Sequence, residues 1–237
     1  LGRLFAGSYG SLGVITHVNF KLAPIAPTSR TVVAKVASLA QAAALAHELA
    51  ANASLTPTAI ELLAPEPRLL VRFESTEQSG ARMADATTAI LASASQDVTI
   101  LTGAAESAVW GGHQAIESAQ PGLIARISVL PTRSGAALQS VSELATQQSV
   151  TWEATGRLAL GSLRIRTVGA PSRQRAYASG LRAALSARGG HVQFEGDLAG
   201  LEGIDPFGPL GASAAVARAV KQQFDPAGIL PYPWEVR

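Results

Sequence analysis

The residues with the most chemical content are a glycine–serine run near the start of the chain and a set of arginines near its middle. Gly7, Gly10 and Gly13 stand three apart with Ser8 and Ser11 between them, removing side chains where backbone would approach a ligand. Their amides can converge as a nest for an anion, with two hydroxyls as further donors. The plain alternative is a tight turn ahead of a strand. Arg164 and Arg166 lie two apart on one predicted strand, hence on one face, and Arg126 falls on a predicted neighbour. Such a group suits bidentate capture of a carboxylate; the alternative is a solvated sheet face or a subunit interface.

Other chemistries are excluded or unsupported. No cysteine is present, which removes disulfides, thiol nucleophiles, iron–sulfur clusters and cysteine-ligated zinc. His17, His47, His113 and His191 show no ligand spacing, so no metal site is expected. His47, beside Glu48 on a helix, is expected in solvent, and His17 and His191 on strands. His113, after Trp110, Gly111 and Gly112, is the one placed to line a pocket. Trp152, Tyr232 and Trp234 read as packing residues.

With 237 residues, 47% of them hydrophobic, the chain can bury a sizeable core. Nineteen basic against seventeen acidic side chains give +2, with no basic footprint for nucleic acid. Sixteen of the basic residues are Arg, a composition that suggests a GC-rich bacterial genome. The most apolar stretch, 39–55, is broken by Gln41, His47, Glu48 and Asn52, short of the roughly 20 apolar residues of a membrane span. With no leader pattern either, the expectation is a soluble, cytoplasmic protein, peripheral at the membrane at most through partner subunits.

The elements that must position these residues follow from periodicity. A glycine-punctuated turn leads to a predicted strand over Val14–Leu22, and Pro24 and Pro27 mark a linker. Beyond it the pattern reads strand 31–36, a helix capped by Ser38 through Asn52, strands 59–63 and 69–73, a helix opened by a Ser75–Gln78 capping box, and strand 98–101. After a helix over 104–116 the order returns: strand 123–130, helix 135–147, strands 150–154 and 163–168, helix 172–187, strand 191–194. Each run is a split βαββαβ, or ferredoxin-like, unit. The predicted fold class is α+β: an extended antiparallel sheet with helices on one face and the other face left free. A helix over 212–224 and the segment FDPAGIL close the chain. The expected domains are 1–27, 28–196 and 197–237.

The segment GSYGSLGVITHVNFKLAP, Gly7 to Pro24, resembles the closing part of the FAD-binding domain in flavoproteins of the vanillyl-alcohol oxidase and p-cresol methylhydroxylase type. FDPAGIL, Phe224 to Leu230, resembles the C-terminal signature of the same family. With the Trp152 and Gly156 pattern and an aromatic at Tyr9 where many relatives are acidic, the chain is most similar to the flavin-binding subunits of bacterial glycolate oxidase. The resemblance implies an FAD-dependent oxidoreductase acting on a 2-hydroxy acid, or passing electrons from partner subunits in a hetero-oligomer. It implies cofactor contacts from Ser8, Tyr9, Gly10, Ser11, Leu12, Gly13, Val14 and Ile15, and a substrate role for Arg126, Arg164 and Arg166 if their face covers the flavin. The 1–27 stretch then reads as the end of an FAD domain whose upstream glycine loop is missing, so the chain alone is expected to hold FAD weakly or not at all. Pro231, Tyr232 and Pro233 stand where the family continues with Asn-Pro-Gly. A stand-alone flavin alcohol oxidase and a non-catalytic ferredoxin-like interaction module are the alternatives.

Overall fold

The computed structural model describes residues 1–95, 97–118, 122–198, 200–209 and 211–231. The chain divides into two compact units, one joining Leu1–Pro24 to Gly203–Arg237 and the other comprising Ile25–Glu202.

The larger unit is built on one sheet. Its strands are β1 (Thr28–Lys35), β2 (Ala59–Ala64), β3 (Arg68–Ser75), β4 (Val98–Thr102), β5 (Leu123–Ser128), β6 (Thr151–Arg157), β7 (Ser162–Val168) and β8 (His191–Gly196). They lie in the order β4-β1-β3-β2-β6-β7-β5-β8, and every neighbouring pair is antiparallel. The succession strand, helix, strand, strand, helix, strand occurs twice, and each set of four strands forms one half of the sheet. The halves meet at β2 and β6 through three register pairs, Leu62 with Gly156, Leu63 with Thr155 and Ala64 with Ala154.

Strand alternation sorts the side chains. Val32, Leu62, Phe73, Ala125, Ile165 and Phe194 go to one face and are buried there. Four helices cover that face: α2 (Leu39–Ala51), α3 (Glu77–Ala92), α5 (Ser134–Gln148) and α6 (Pro171–Ser186). They bring Leu49, Leu91, Leu138 and Leu181 into the core. Each large apolar side chain removed from water there is worth about 1.5–3 kcal/mol, so this layer anchors the helices to the sheet. Ser38 caps α2 as expected, its hydroxyl accepting from Gln41 N at 3.1 Å. The cap of α3 is one residue later than the sequence suggests. Ser75 stays in β3, where its carbonyl accepts from the Thr28 hydroxyl, and Thr76 caps the helix through Ser79 N.

Two expectations are overturned. The second face of the sheet is not left free: α4 (Gly103–Ser118) lies across it, touching β1, β4, β6 and β7. Its Glu106, Trp110 and His113 are spaced as one helix face and meet polar partners on the strands, which is why it packs there. The second correction concerns Val14–Leu22, which forms no strand. Val14, Val18, Phe20 and Leu22 are all exposed. Alternation alone does not make a strand, because its amides and carbonyls need a ladder.

A tight turn joins β6 to β7. A single 3-10 turn over Leu158–Leu160 delivers the chain to Gly161 at φ +67°. Gly161 N donates to Leu158 O at 3.1 Å, and its carbonyl accepts from Val129 N at 2.9 Å. A Cβ on Gly161 would stand 2.0 Å from Val129 O.

The smaller unit holds α1 (Gly2–Phe5) and α7 (Ala214–Phe224). The rings of Phe5 and Phe224 meet edge to face at 5.1 Å. Among the described residues, no helix is long and apolar enough to cross a membrane.

Candidate functional site

In the smaller unit the glycine–serine run is a compact loop. Gly7 and Gly10 have φ of +86° and +74°, a region that other residues rarely occupy, and open space lies where their Cβ atoms would stand. Tyr9 also has positive φ, at 54°, and its ring is held edge to face against Phe207 at 5.3 Å. Ser8 and Ser11 are buried. The hydroxyl of Ser11 donates to the Ser8 carbonyl at 2.7 Å, so it closes the loop instead of serving as the outward donor that the sequence suggests. Gly13 has a different role from its two partners, since a Cβ there would lie 2.8 Å from the Phe5 ring. Leu12 is half-buried, while Val14 and Ile15 are exposed.

The loop is tied to the C-terminal motif by Lys221 on α7. Its ammonium donates to Ser11 O at 2.9 Å and to Leu230 O at 2.9 Å, and it pairs with the Asp225 carboxylate. Asp225 in turn accepts from Ile229 N at 3.0 Å and Leu230 N at 2.9 Å, closing the turn after α7. GSYGS and FDPAGIL, at opposite ends of the sequence, therefore share one hydrogen-bonded centre. Beside it lies an apolar cavity of about 340 Å³ between the loop and the Val216, Ala217 and Val220 face of α7.

The Lys221 hydrogen bond, aided by the amides of Leu230 and Ile229, holds the Asp225 carboxyl below the ordinary aspartate value of 3.8, outweighing its desolvation. A group whose pKa is lowered on folding stabilises the fold above its unfolded pKa and loses that contribution as pH falls through the folded one. The expected result is that hydrogen-exchange protection of Ile229 and Leu230 holds from neutral pH down to about 4, and fails only below it. Loss of protection already at pH 6 would contradict this.

The residues of this loop suit one wall of a flavin dinucleotide site. Backbone is bare at Gly7 and Gly10, and Val14 and Ile15 offer uncovered apolar surface on an extended segment.

In the larger unit, the face crossed by α4 carries buried charge. Glu106 accepts from the hydroxyls of Ser29 and Thr31, each at 2.7 Å, and lies 3.3 Å from Arg72 Nε. Trp110 Nε1 donates to Thr31 Oγ1 at 2.9 Å, and the Arg72 guanidinium sits 5.4 Å from the Trp110 ring centre. Further along, Glu61 of β2 is only 3% exposed. Arg157 Nε donates to its Oε1 at 2.7 Å, and His113 Nε2 lies 3.5 Å from its Oε2. A buried carboxylate is tolerated only with such partners.

Next to Glu61 opens a cavity of about 370 Å³ whose lining includes Thr155, Arg126, Arg157, Arg164 and Ser128. The predicted arginines divide here. Arg126 and Arg164 are direct register partners on β5 and β7, on the same face, and both approach Glu195 Oε1, at 3.2 and 3.6 Å. Arg166 shares that face but pairs with Glu153 and borders a separate cavity with Trp152 and Pro65. Glu61, Arg157 and Glu106 escaped sequence reasoning. The available signal was a single Glu inside the apolar run AIELLA.

Histidine placements need amendment. His17 lies on the extended segment and not on a strand, and His191 is exposed on β8. His47 is half-buried, its Nε2 enclosed without a hydrogen bond, because α2 turns that edge toward the core instead of solvent. Tyr232, Pro233 and Trp234 fall outside the described residues.

No family model matches the chain, and no curated protein matches it either. Among solved structures, the chain is similar to a VAO-type flavoprotein, MtVAO615 from Myceliophthora thermophila C1, at 15% identity and a TM-score of 0.53. The alignment covers 89% of this chain and 47% of the flavoprotein, so the chain spans about half the length of that structure. A microcompartments protein from Desulfitobacterium hafniense DCB aligns over 70% of this chain and 93% of its own at 15% identity, with a TM-score of 0.27 that carries no argument. The chain has an α+β fold, with an eight-stranded antiparallel sheet, that is shared with a VAO-type flavoprotein.

Proposed function

We propose that the chain is part of an FAD-dependent oxidoreductase, most like the flavin-binding subunit of glycolate oxidase, acting on a 2-hydroxy acid or passing its electrons onward. The observation that carries this reading is the Lys221 centre, which joins the two motifs on which the family resemblance rests. The fold likeness to a VAO-type flavoprotein supports it. In this reading residues 1–27 and 197–237 belong to the FAD domain, and 28–196 is a duplicated ferredoxin-like cap, in keeping with the twice-repeated element order.

Bound FAD would supply two-electron oxidation of the hydroxyl-bearing carbon. The chain's own residues position and neutralise. The bare backbone at Gly7 and Gly10 gives close approach for phosphate oxygens, and Val14 and Ile15 cover apolar cofactor surface. Arg126 and Arg164 provide charge for a substrate carboxylate.

The test is flavin absorbance of the purified full gene product. The wild type is expected to carry flavin, and Gly10→Val, which puts a β-branched residue at positive φ in open space, to lose most of it while keeping its far-UV circular dichroism. A wild type without flavin, and unable to take it up from added FAD, would sink the reading.

A further inference from the structure

We propose that β4 is a self-association edge: two copies of the chain pair along it, antiparallel about Ile100, and join their sheets across a two-fold axis. The inference concerns the larger unit alone and does not depend on the flavoenzyme reading.

The sheet is open, and its two edges are β4 and β8. In an antiparallel ladder, residue pairs that exchange hydrogen bonds alternate with pairs whose backbone groups point away from each other. Lys35 N donates to Asp97 O at 3.1 Å, which fixes the phase of β4. By the register with β1, Thr99 and Leu101 then face β1, while the N–H and C=O of Val98 and Ile100 point out of the sheet. Among the described residues, no hydrogen bond reaches these outward groups. At the other edge, Asp197 N donates to Gly122 O at 2.9 Å, so the outward groups of β8 are those of Val192 and Phe194. Here the Val192 carbonyl accepts from Arg182 Nη2 at 3.3 Å, and the same guanidinium lies 4.7 Å from the Phe194 ring centre. A charged side chain laid along an edge keeps an incoming strand away. Thus β8 is guarded and β4 is not.

The composition of β4 says what fits it. Val98–Thr102 reads VTILT, five residues without charge or proline. A charged strand opposes like charges when it meets its own copy, and this one does not. With Ile100 opposite Ile100, each copy's outward N–H meets the other's C=O. Val98 then lies opposite Thr102 on the face covered by α3, and Thr99 opposite Leu101 on the face crossed by α4. Ile100, 37% exposed in the single chain, becomes enclosed. Since β8 is closed by Arg182, each copy has one open edge. Pairing is therefore between like edges and stops at two copies, whereas two open edges would permit endless addition. The strand is short, so the dimer is expected to be weak, with a Kd on the order of 10–100 μM.

The experiment combines sedimentation velocity with residue-resolved amide exchange of the full gene product, over a concentration series that brackets this Kd. The wild type is expected to pass from monomer to dimer. Exchange at Ile100 should slow by roughly tenfold as the dimer fills, while Thr99 and Leu101 are protected throughout. Ile100→Pro removes the outward donor but no bond to β1, and should hold the monomer with unchanged far-UV circular dichroism. Ile100→Glu and Ile100→Lys should each be monomeric, because like charges then face each other, and an equal mixture of the two should dimerise. The charged pair and the wild-type exchange decide the matter even where proline disturbs the fold. A wild type that stays monomeric across the series, a dimer in which Ile100 exchanges as fast as in the monomer, a dimer that survives Ile100→Pro, or a Glu–Lys mixture that stays monomeric would each overturn the proposal. Assemblies that grow beyond two copies would overturn it as well, since they need a second open edge.

Discussion

Gly161→Ala is expected to unfold the larger unit at ordinary temperatures or bring it close to unfolding. The added methyl would stand 2.0 Å from Val129 O, and that oxygen belongs to backbone that cannot swing aside. The residue also has φ of +67°, which costs a side chain about 1–2 kcal/mol before any clash. Relief requires breaking the bond from Val129 N to Gly161 O that fixes β5 beside the β6–β7 turn. The combined loss belongs at the severe end of single substitutions, about 4–5 kcal/mol, which lowers Tm by roughly 10 °C or more in a unit of this size. A thermal melt within a few degrees of wild type would show that the turn has another conformation open to it.

Lys221→Met should act on the smaller unit. Methionine keeps the length and the apolar stem but donates to nothing, so Ser11 O and Leu230 O lose a charged donor and Asp225 loses its counter-ion. Hydrogen bonds to charged groups are worth enough that amide exchange of Ile229, Leu230 and the 7–12 loop should quicken by roughly tenfold or more. Strands β1 to β8 should be unaffected. In the flavoenzyme reading, the same variant loosens the cofactor wall and lowers flavin content. Unchanged exchange would mean that contacts other than the Lys221 bonds, such as the Phe5–Phe224 ring pair, hold the two motifs together.

What the sequence discloses of this fold is what periodicity can disclose. Leu45, Ala46 and Leu49 recur at helical spacing and are the buried stripe of α2, and the strand alternation that puts Arg164 and Arg166 on one face also puts them there in the structure. Arg126 was within reach because β5 and β7 are neighbours in the repeated unit. The rest depends on partners that pattern does not name. Val14–Leu22 alternates like a strand, yet alternation is silent about whether a ladder exists. Glu61 and Glu106 sit in apolar company, and nothing local says that one will find Arg157, 96 residues on, and the other Thr31, 75 residues back. The clue was joint: polar residues at Thr31, Glu61 and Arg72 interrupting apolar strands, and Glu106, Trp110 and His113 forming a polar stripe on a helix that would otherwise read as apolar. Burial of charge becomes visible only when both sides are placed opposite each other.

The short β2–β6 seam bears on how the sheet assembles. Every other ladder closes within 28–102 or within 123–196, so each half can nucleate from contacts made inside its own stretch of chain. Between the halves the seam supplies three residue pairs, Leu62 with Gly156 among them, and α2 adds its packing on α5, against the entropy of closing so long a loop. Topology of this kind favours two separately formed halves that dock last, the β2–β6 ladder and the α2–α5 packing closing in the same late step.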